Sequence, residues 1–190
     1  MSTPGAYYLP VILGTPRKGR YSAHAAALIA EELGKRPGVT SEVIDVLSHP
    51  VPHDDAGEAA KSPHFAEKMA RADGLVIVCP EYNHGYPGAL KSLLDTCLKE
   101  YIHKPAGVVG VSAGPFGGAR AVQDLLPVLR ELGLVSIFWD VNFSLVQSVF
   151  EENGKLKDEA WRRRAGKFLN ELLWMAQTLR HGREHVTLPD

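Results

Sequence analysis

Short apolar runs alternate with amphipathic segments along most of this chain. Five runs, at residues 7–13, 39–46, 74–79, 106–112 and 134–138, predict strands. The segments between them carry a helical period. It is clearest at Leu90, Leu93, Leu94, Cys97 and Leu98, and again at Trp161, Ala165, Phe168, Leu169, Leu172, Leu173 and Ala176. Start signals agree: Ser22 precedes the first helix, Ser62 and Pro63 the second, Pro87 the third and Asp158 the last. Gly34 and Gly133 stand where helices should stop. Pro127 interrupts the fourth helical pattern, which is kept as one helix with a kink or a lost hydrogen bond.

This alternation predicts an α/β fold with a doubly wound, five-stranded parallel sheet and helices on both faces. Ligands of such sheets sit beyond the carboxyl ends of the strands, where strand order reverses. The segments to inspect are therefore 14–22, 80–87 and 112–118, which follow the first, third and fourth strands.

Length and composition refine the picture. A chain of 190 residues suits one domain, here residues 1–190 with a core over about 7–180. The stretch between Ser48 and Ser62 reads as a surface loop, residues 144–157 are mixed in pattern with a turn at Asn153 and Gly154, and the polar residues 181–190 predict a disordered tail. A formal charge of -1 excludes a surface tuned broadly for nucleic acid or anionic membrane. Cys79 and Cys97 are too few for a disulfide framework and lack metal-type spacing. With no leader-like or membrane-length apolar stretch, the expected location is the cytoplasm.

The loop Gly14-Thr15-Pro16-Arg17-Lys18-Gly19-Arg20-Tyr21-Ser22 runs from a strand into a helix N-terminus. Thr15 and Ser22 offer hydroxyls, Arg17 a guanidinium and Ala23 a first-turn amide, which together suit a phosphomonoester. Neither the dinucleotide glycine fingerprint nor the Walker P-loop is present, and a solvated basic loop is the competing reading. The loop Pro80-Glu81-Tyr82-Asn83-His84-Gly85-Tyr86-Pro87-Gly88 lies where a planar ring would rest. Its backbone amides and Asn83 could bond the polar edge of a flavin, with Tyr82 and Pro80 as flat surface. In the third loop, Ser112, Gly114, Gly117 and Gly118 allow close backbone approach. Each loop alone has a bland explanation as a turn; their recurrence at one rim of the sheet is the stronger signal.

Together these loops resemble those of the NADPH-dependent FMN reductase family of quinone, azo and flavin reductases. Pro80-Glu81-Tyr82-Asn83 followed by Pro87-Gly88-Ala89-Leu90-Lys91 is similar to that family's P-E-Y-N-x-x-x-P-G-x-L-K signature. Gly14-Thr15-x-Arg17 with Ser22 is similar to its phosphate loop, and Ser112-x-Gly114-x-x-Gly117-Gly118 to its third FMN loop. The likeness runs from about residue 7 to residue 179. It implies a flavodoxin-like sheet of order 2-1-3-4-5. FMN would be held by Thr15, Arg17, Ser22 and Ala23 at the phosphate, by Pro80, Glu81, Tyr82 and Asn83 at the ring, and by Ser112, Gly114 and Gly117 along the remaining edge. Arg20 is left between phosphate and solvent, and His84 and Gly85 occupy a variable stretch that lines the flavin's open face.

The implied activity is ping-pong electron transfer from NADPH or NADH through FMN to a small acceptor such as a quinone, an azo compound or free flavin. The cofactor would carry the chemistry, so no catalytic residue is named. The family resemblance also implies a homodimer or homotetramer, with Tyr86 and the third helix near a partner chain. A flavodoxin-like electron carrier without nicotinamide turnover is the alternative, disfavoured because acidic and basic residues nearly cancel. An FMN-free interaction domain is a third reading. Both cysteines read as core fillers, the eight histidines form no ligand set for a metal, and Arg162-Arg163-Arg164 reads as a solvated helix face.

Overall fold

The computed structural model describes residues 6–51 and 62–189; most of the expected loop between Ser48 and Ser62 lies outside them. The elements run β1 (Tyr7–Tyr8), β2 (Val11–Leu13), α1 (Ser22–Gly34), β3 (Val39–Thr40), β4 (Val43–Asp45), α2 (Pro63–Arg71), β5 (Leu75–Pro80), α3 (Gly88–Leu94), β6 (Pro105–Val111), α4 (Ala119–Glu131), β7 (Val135–Ser136), β8 (Val141–Phe143), α5 (Val146–Val149) and α6 (Ala160–His185). Every strand pair is parallel. The main sheet is ordered β4-β2-β5-β6-β7, with β8 also on β6, while β1 pairs with β3 beside it. This is the α/β architecture expected from the alternation of runs and amphipathic segments.

Each face of the sheet carries its own core. One buries Val11, Leu13, Val76, Val78, Val109 and Val111 under α1 and α6. The other buries Ile12, Ile77, Cys79 and Val108 under α2, α3 and α4. Alternate residues of a strand point to opposite faces, so a strand covered on both sides must be apolar throughout, as β5 is. Pro127 lies inside α4, which stays a single helix.

Three expectations are corrected. The first two apolar runs are each broken in two, with Pro10, which has no amide proton, standing between β1 and β2. The fifth run is not one strand either. After Ile137 donates to the Ala106 carbonyl, the Phe138 amide is taken by the Glu171 carboxylate of α6 at 3.1 Å, and the chain rejoins β6 only as β8. The tail expected from residue 181 is helical through His185. Arg180 and Arg183 tie it to Asp73, a buried carboxylate that also accepts from the Tyr8 amide at 3.0 Å. Polar composition hid a helix end held by tertiary ion pairs.

Away from the strand ends, Lys104 is buried and caps α2. Its ammonium donates to the carbonyls of Met69 at 2.7 Å and Ala70 at 2.9 Å. Burial, with Arg183 nearby, lowers its pKa to about 8.

Candidate functional site

The loops after β2, β5 and β6 meet at the carboxyl ends of the sheet around a cleft of about 360 Å³. Seven of the twelve residues expected there line it: Arg17, Arg20, Ser22, Pro80, Glu81, Tyr82 and Ser112. Volumes of this order suit small-molecule ligands.

Ser22 opens α1 and is 2% exposed, and its hydroxyl has no hydrogen-bond partner. A buried hydroxyl left unpaired costs about 1–3 kcal/mol, so a donor and acceptor of this kind at a cleft wall calls for a polar ligand. Thr15 is fully buried behind it. The Thr15 hydroxyl lies 2.5 Å from the Tyr82 hydroxyl and accepts from the Arg17 amide at 3.3 Å. The Arg17 guanidinium rests over the Tyr82 ring, 5.1 Å from its centroid, and faces the cleft. A guanidinium beside an unpaired hydroxyl is the donor set a phosphomonoester requires.

Arg20 lines the cleft with its charge already engaged. It forms an ion pair with Asp45 at the end of β4 and donates to the Arg17 carbonyl at 3.3 Å, which fixes the loop. The Ala23 amide donates to the Arg20 carbonyl at 3.2 Å, because the helical turn begins earlier than the apolar period indicates; it is not a free donor.

In the loop after β5, Tyr82 and Gly85 exchange backbone hydrogen bonds of 2.9 and 3.0 Å around Asn83 and His84. Both central residues have positive φ, 48° and 74°, the pattern of a tight hairpin turn, and asparagine and histidine are among the non-glycine residues that enter this region most readily. The turn carries Asn83 and His84 away from the cleft, into a groove shared with Arg120, Gln123 and Asp124. Glu81 spends its amide on the Val111 carbonyl at 2.9 Å, and its carboxylate pairs with Arg120 at 2.6 Å. Its second carboxylate oxygen is buried without a partner. Burial pushes the neighbouring Cys79 thiol up to about 12, aided by Asp124 and Glu81, so it is no nucleophile.

In the loop after β6, the Ser112 hydroxyl donates to the Gly114 carbonyl at 2.9 Å, and that carbonyl also accepts from Leu145. A side chain at Gly114 would meet nothing within 4 Å, whereas one at Gly117 (φ 62°) would strike Asn142. Gly117 thus serves packing against β8 rather than the cleft. Sequence reasoning missed Val146 and Gln147, which line the cleft from α5. Gln147 donates to the Ala113 carbonyl at 3.2 Å. A four-residue helix has too short a period to register, and these residues lay in the segment of mixed pattern.

Among known families, the model of the NADPH-dependent FMN reductases matches residues 9–145, a span that includes all three loops. The chain belongs to that family. Members of the NADPH-dependent FMN reductase family use FMN with a reduced nicotinamide, and the chain is accordingly an oxidoreductase. It is 32% identical over 174 residues to an NAD(P)H-dependent FMN reductase of Pseudomonas aeruginosa, spanning 86% of this chain and 92% of that protein. A quinone reductase of Pseudomonas putida is 28% identical over 163 residues, 80% of this chain and 86% of its own length. The flavoenzyme FerB of Paracoccus denitrificans, an NAD(P)H:(acceptor) oxidoreductase, superposes with a TM-score of 0.75 over 90% of this chain and 98% of its own, at 22% identity, a likeness of fold. Among the described residues no helix is long and apolar enough to cross a membrane, and no group of three or more His, Cys, Asp or Glu side chains could hold a metal ion.

Proposed function

We propose that this chain is an FMN-dependent NAD(P)H oxidoreductase that passes electrons to a small acceptor, such as a quinone, an azo compound or free flavin, by a ping-pong route. The observation that carries this reading is the buried, unpartnered Ser22 hydroxyl beside Arg17, at the cleft where the three loops meet. In it, Arg17 and Ser22 grip the FMN phosphate, and Thr15 holds the loop through the Arg17 amide. Pro80, Glu81 and Tyr82 flank the ring, while Ser112 and Gly114 border its remaining edge. Asn83 reaches the ring only if its turn rotates inward, and Arg20 acts through Asp45 to keep the loop in place.

Bound FMN supplies the redox chemistry; the chain supplies orientation and a cleft wall that excludes water from one side. No side chain is assigned a proton-transfer role. The carboxylate of Glu81, engaged by Arg120, steadies the loop rather than acting as a base. We further propose one domain, in which two cores share a single sheet, a homo-oligomer covering the exposed Leu98 and Ile102 beyond α3, and a reducing cytoplasm, in keeping with a chain that has only two cysteines, both buried in the core.

Steady-state rates with NADPH or NADH and benzoquinone test the reading. Parallel double-reciprocal lines are expected. Intersecting lines would remove the ping-pong route, and nicotinamide reduction too slow to support turnover would make the chain an electron carrier.

A further inference from the structure

A second cavity, of about 320 Å³, opens at the outer edge of the sheet between β8 and α6 and shares no lining residue with the strand-end cleft. Its walls are aromatic: Trp139, Trp161 and Phe168, with Val141 between them. Phe143 stacks on Trp161 at 4.7 Å and steadies that wall from within the core. Trp139 is 42% exposed and its neighbour Phe138 81% exposed, so the loop between β7 and β8 presents large apolar surface to water.

Two cations stand on these rings. The Lys167 ammonium lies 3.6 Å from the Trp139 centroid, and the Arg164 guanidinium 4.6 Å from that of Trp161. They are three apart on α6 and so share a face. Neither meets a carboxylate among the described residues, whereas Arg162, Arg180 and Arg183 of the same helix each do. Asp140 is the single acidic residue of the lining.

We infer that this pocket binds a one-ring aryl carboxylate. The aromatic walls offer apolar surface against which a planar ring can pack. Arg164 and Lys167, which rest on rings and meet no carboxylate among the described residues, are donors for its carboxylate. Asp140, in the same lining, is an acceptor for a ring hydroxyl, and a volume of about 320 Å³ accommodates one ring. The inference does not rest on the reading of the strand-end cleft.

Calorimetric titration of the FMN-loaded protein with 4-hydroxybenzoate, and with its neutral amide as control, tests it. The acid should bind saturably, the amide about tenfold more weakly, and Arg164→Met with Lys167→Met should weaken the acid by about tenfold with FMN content unchanged. Trp139→Ala, at an exposed position, should weaken both probes. No saturable binding at millimolar acid, equal binding of acid and amide, or indifference to the paired substitution overturns the assignment. So does loss of self-association in Trp139→Ala without binding of the acid, which would give this face to a second copy of the chain.

Discussion

The hydroxyls of Thr15 and Tyr82 lie 2.5 Å apart and join the loop after β2 to the loop after β5. The phosphate end and the ring end of the cleft are thereby one mechanical unit. Tyr82→Phe keeps the ring under Arg17 and deletes only this link. It should lower the stability of the cofactor-free protein by about 1 kcal/mol in urea denaturation, the usual net worth of a hydrogen bond.

Two glycines of the loop after β6 should answer substitution differently. Gly118 has φ 82°, and a side chain there would come within 2.5 Å of the Val111 amide nitrogen. Gly118→Ala should cost about 2 kcal/mol or more in stability. Gly114→Ala meets open space, so stability should change by less than about 0.5 kcal/mol and any loss should fall on flavin affinity. Paired denaturation and flavin titrations of the two variants check this.

Lys104 makes stability depend on alkaline pH. Its folded pKa of about 8 lies below the value of about 10.4 for an unfolded lysine. Between these values the unfolded chain binds the extra proton, so stability rises with pH across that window and is lost again as pH falls to about 8. Thermal midpoints measured from pH 7.5 to about 10.5 should show that rise relative to Lys104→Met, which has no such proton to bind. Parallel curves for the two proteins would remove Lys104 as the cause.

Much of the fold was legible because a strand covered on both faces must be apolar throughout, and β5 and β6 declare themselves in that way. The residues of the loops after β2, β5 and β6 were also legible, since their position at the sheet's rim follows from alternation alone. What escaped was set by contacts between distant residues. Glu171 takes the Phe138 amide and splits the last strand, Asp73 holds the end of α6, and Asp45 pairs with Arg20 at the cleft wall. The outward turn at Asn83 was not legible, because only backbone geometry reveals it. No local pattern encodes a partner 25 or more residues away.

Arg17→Ala should weaken FMN binding by about 1.5 to 3 kcal/mol, the range for a hydrogen bond to a charged group. A flavin titration reads it directly, and unchanged affinity would take Arg17 out of the site.

Ser22→Ala separates ligand binding from folding by opposite signs. Removing an unpaired buried hydroxyl should leave the cofactor-free protein as stable as before or more so, while FMN affinity falls by about tenfold. The decisive measurement is therefore FMN titration of cofactor-free wild type and Ser22→Ala, each with its denaturation curve. Weaker binding without lost stability is the predicted result; equal FMN affinity in the two proteins would contradict the account.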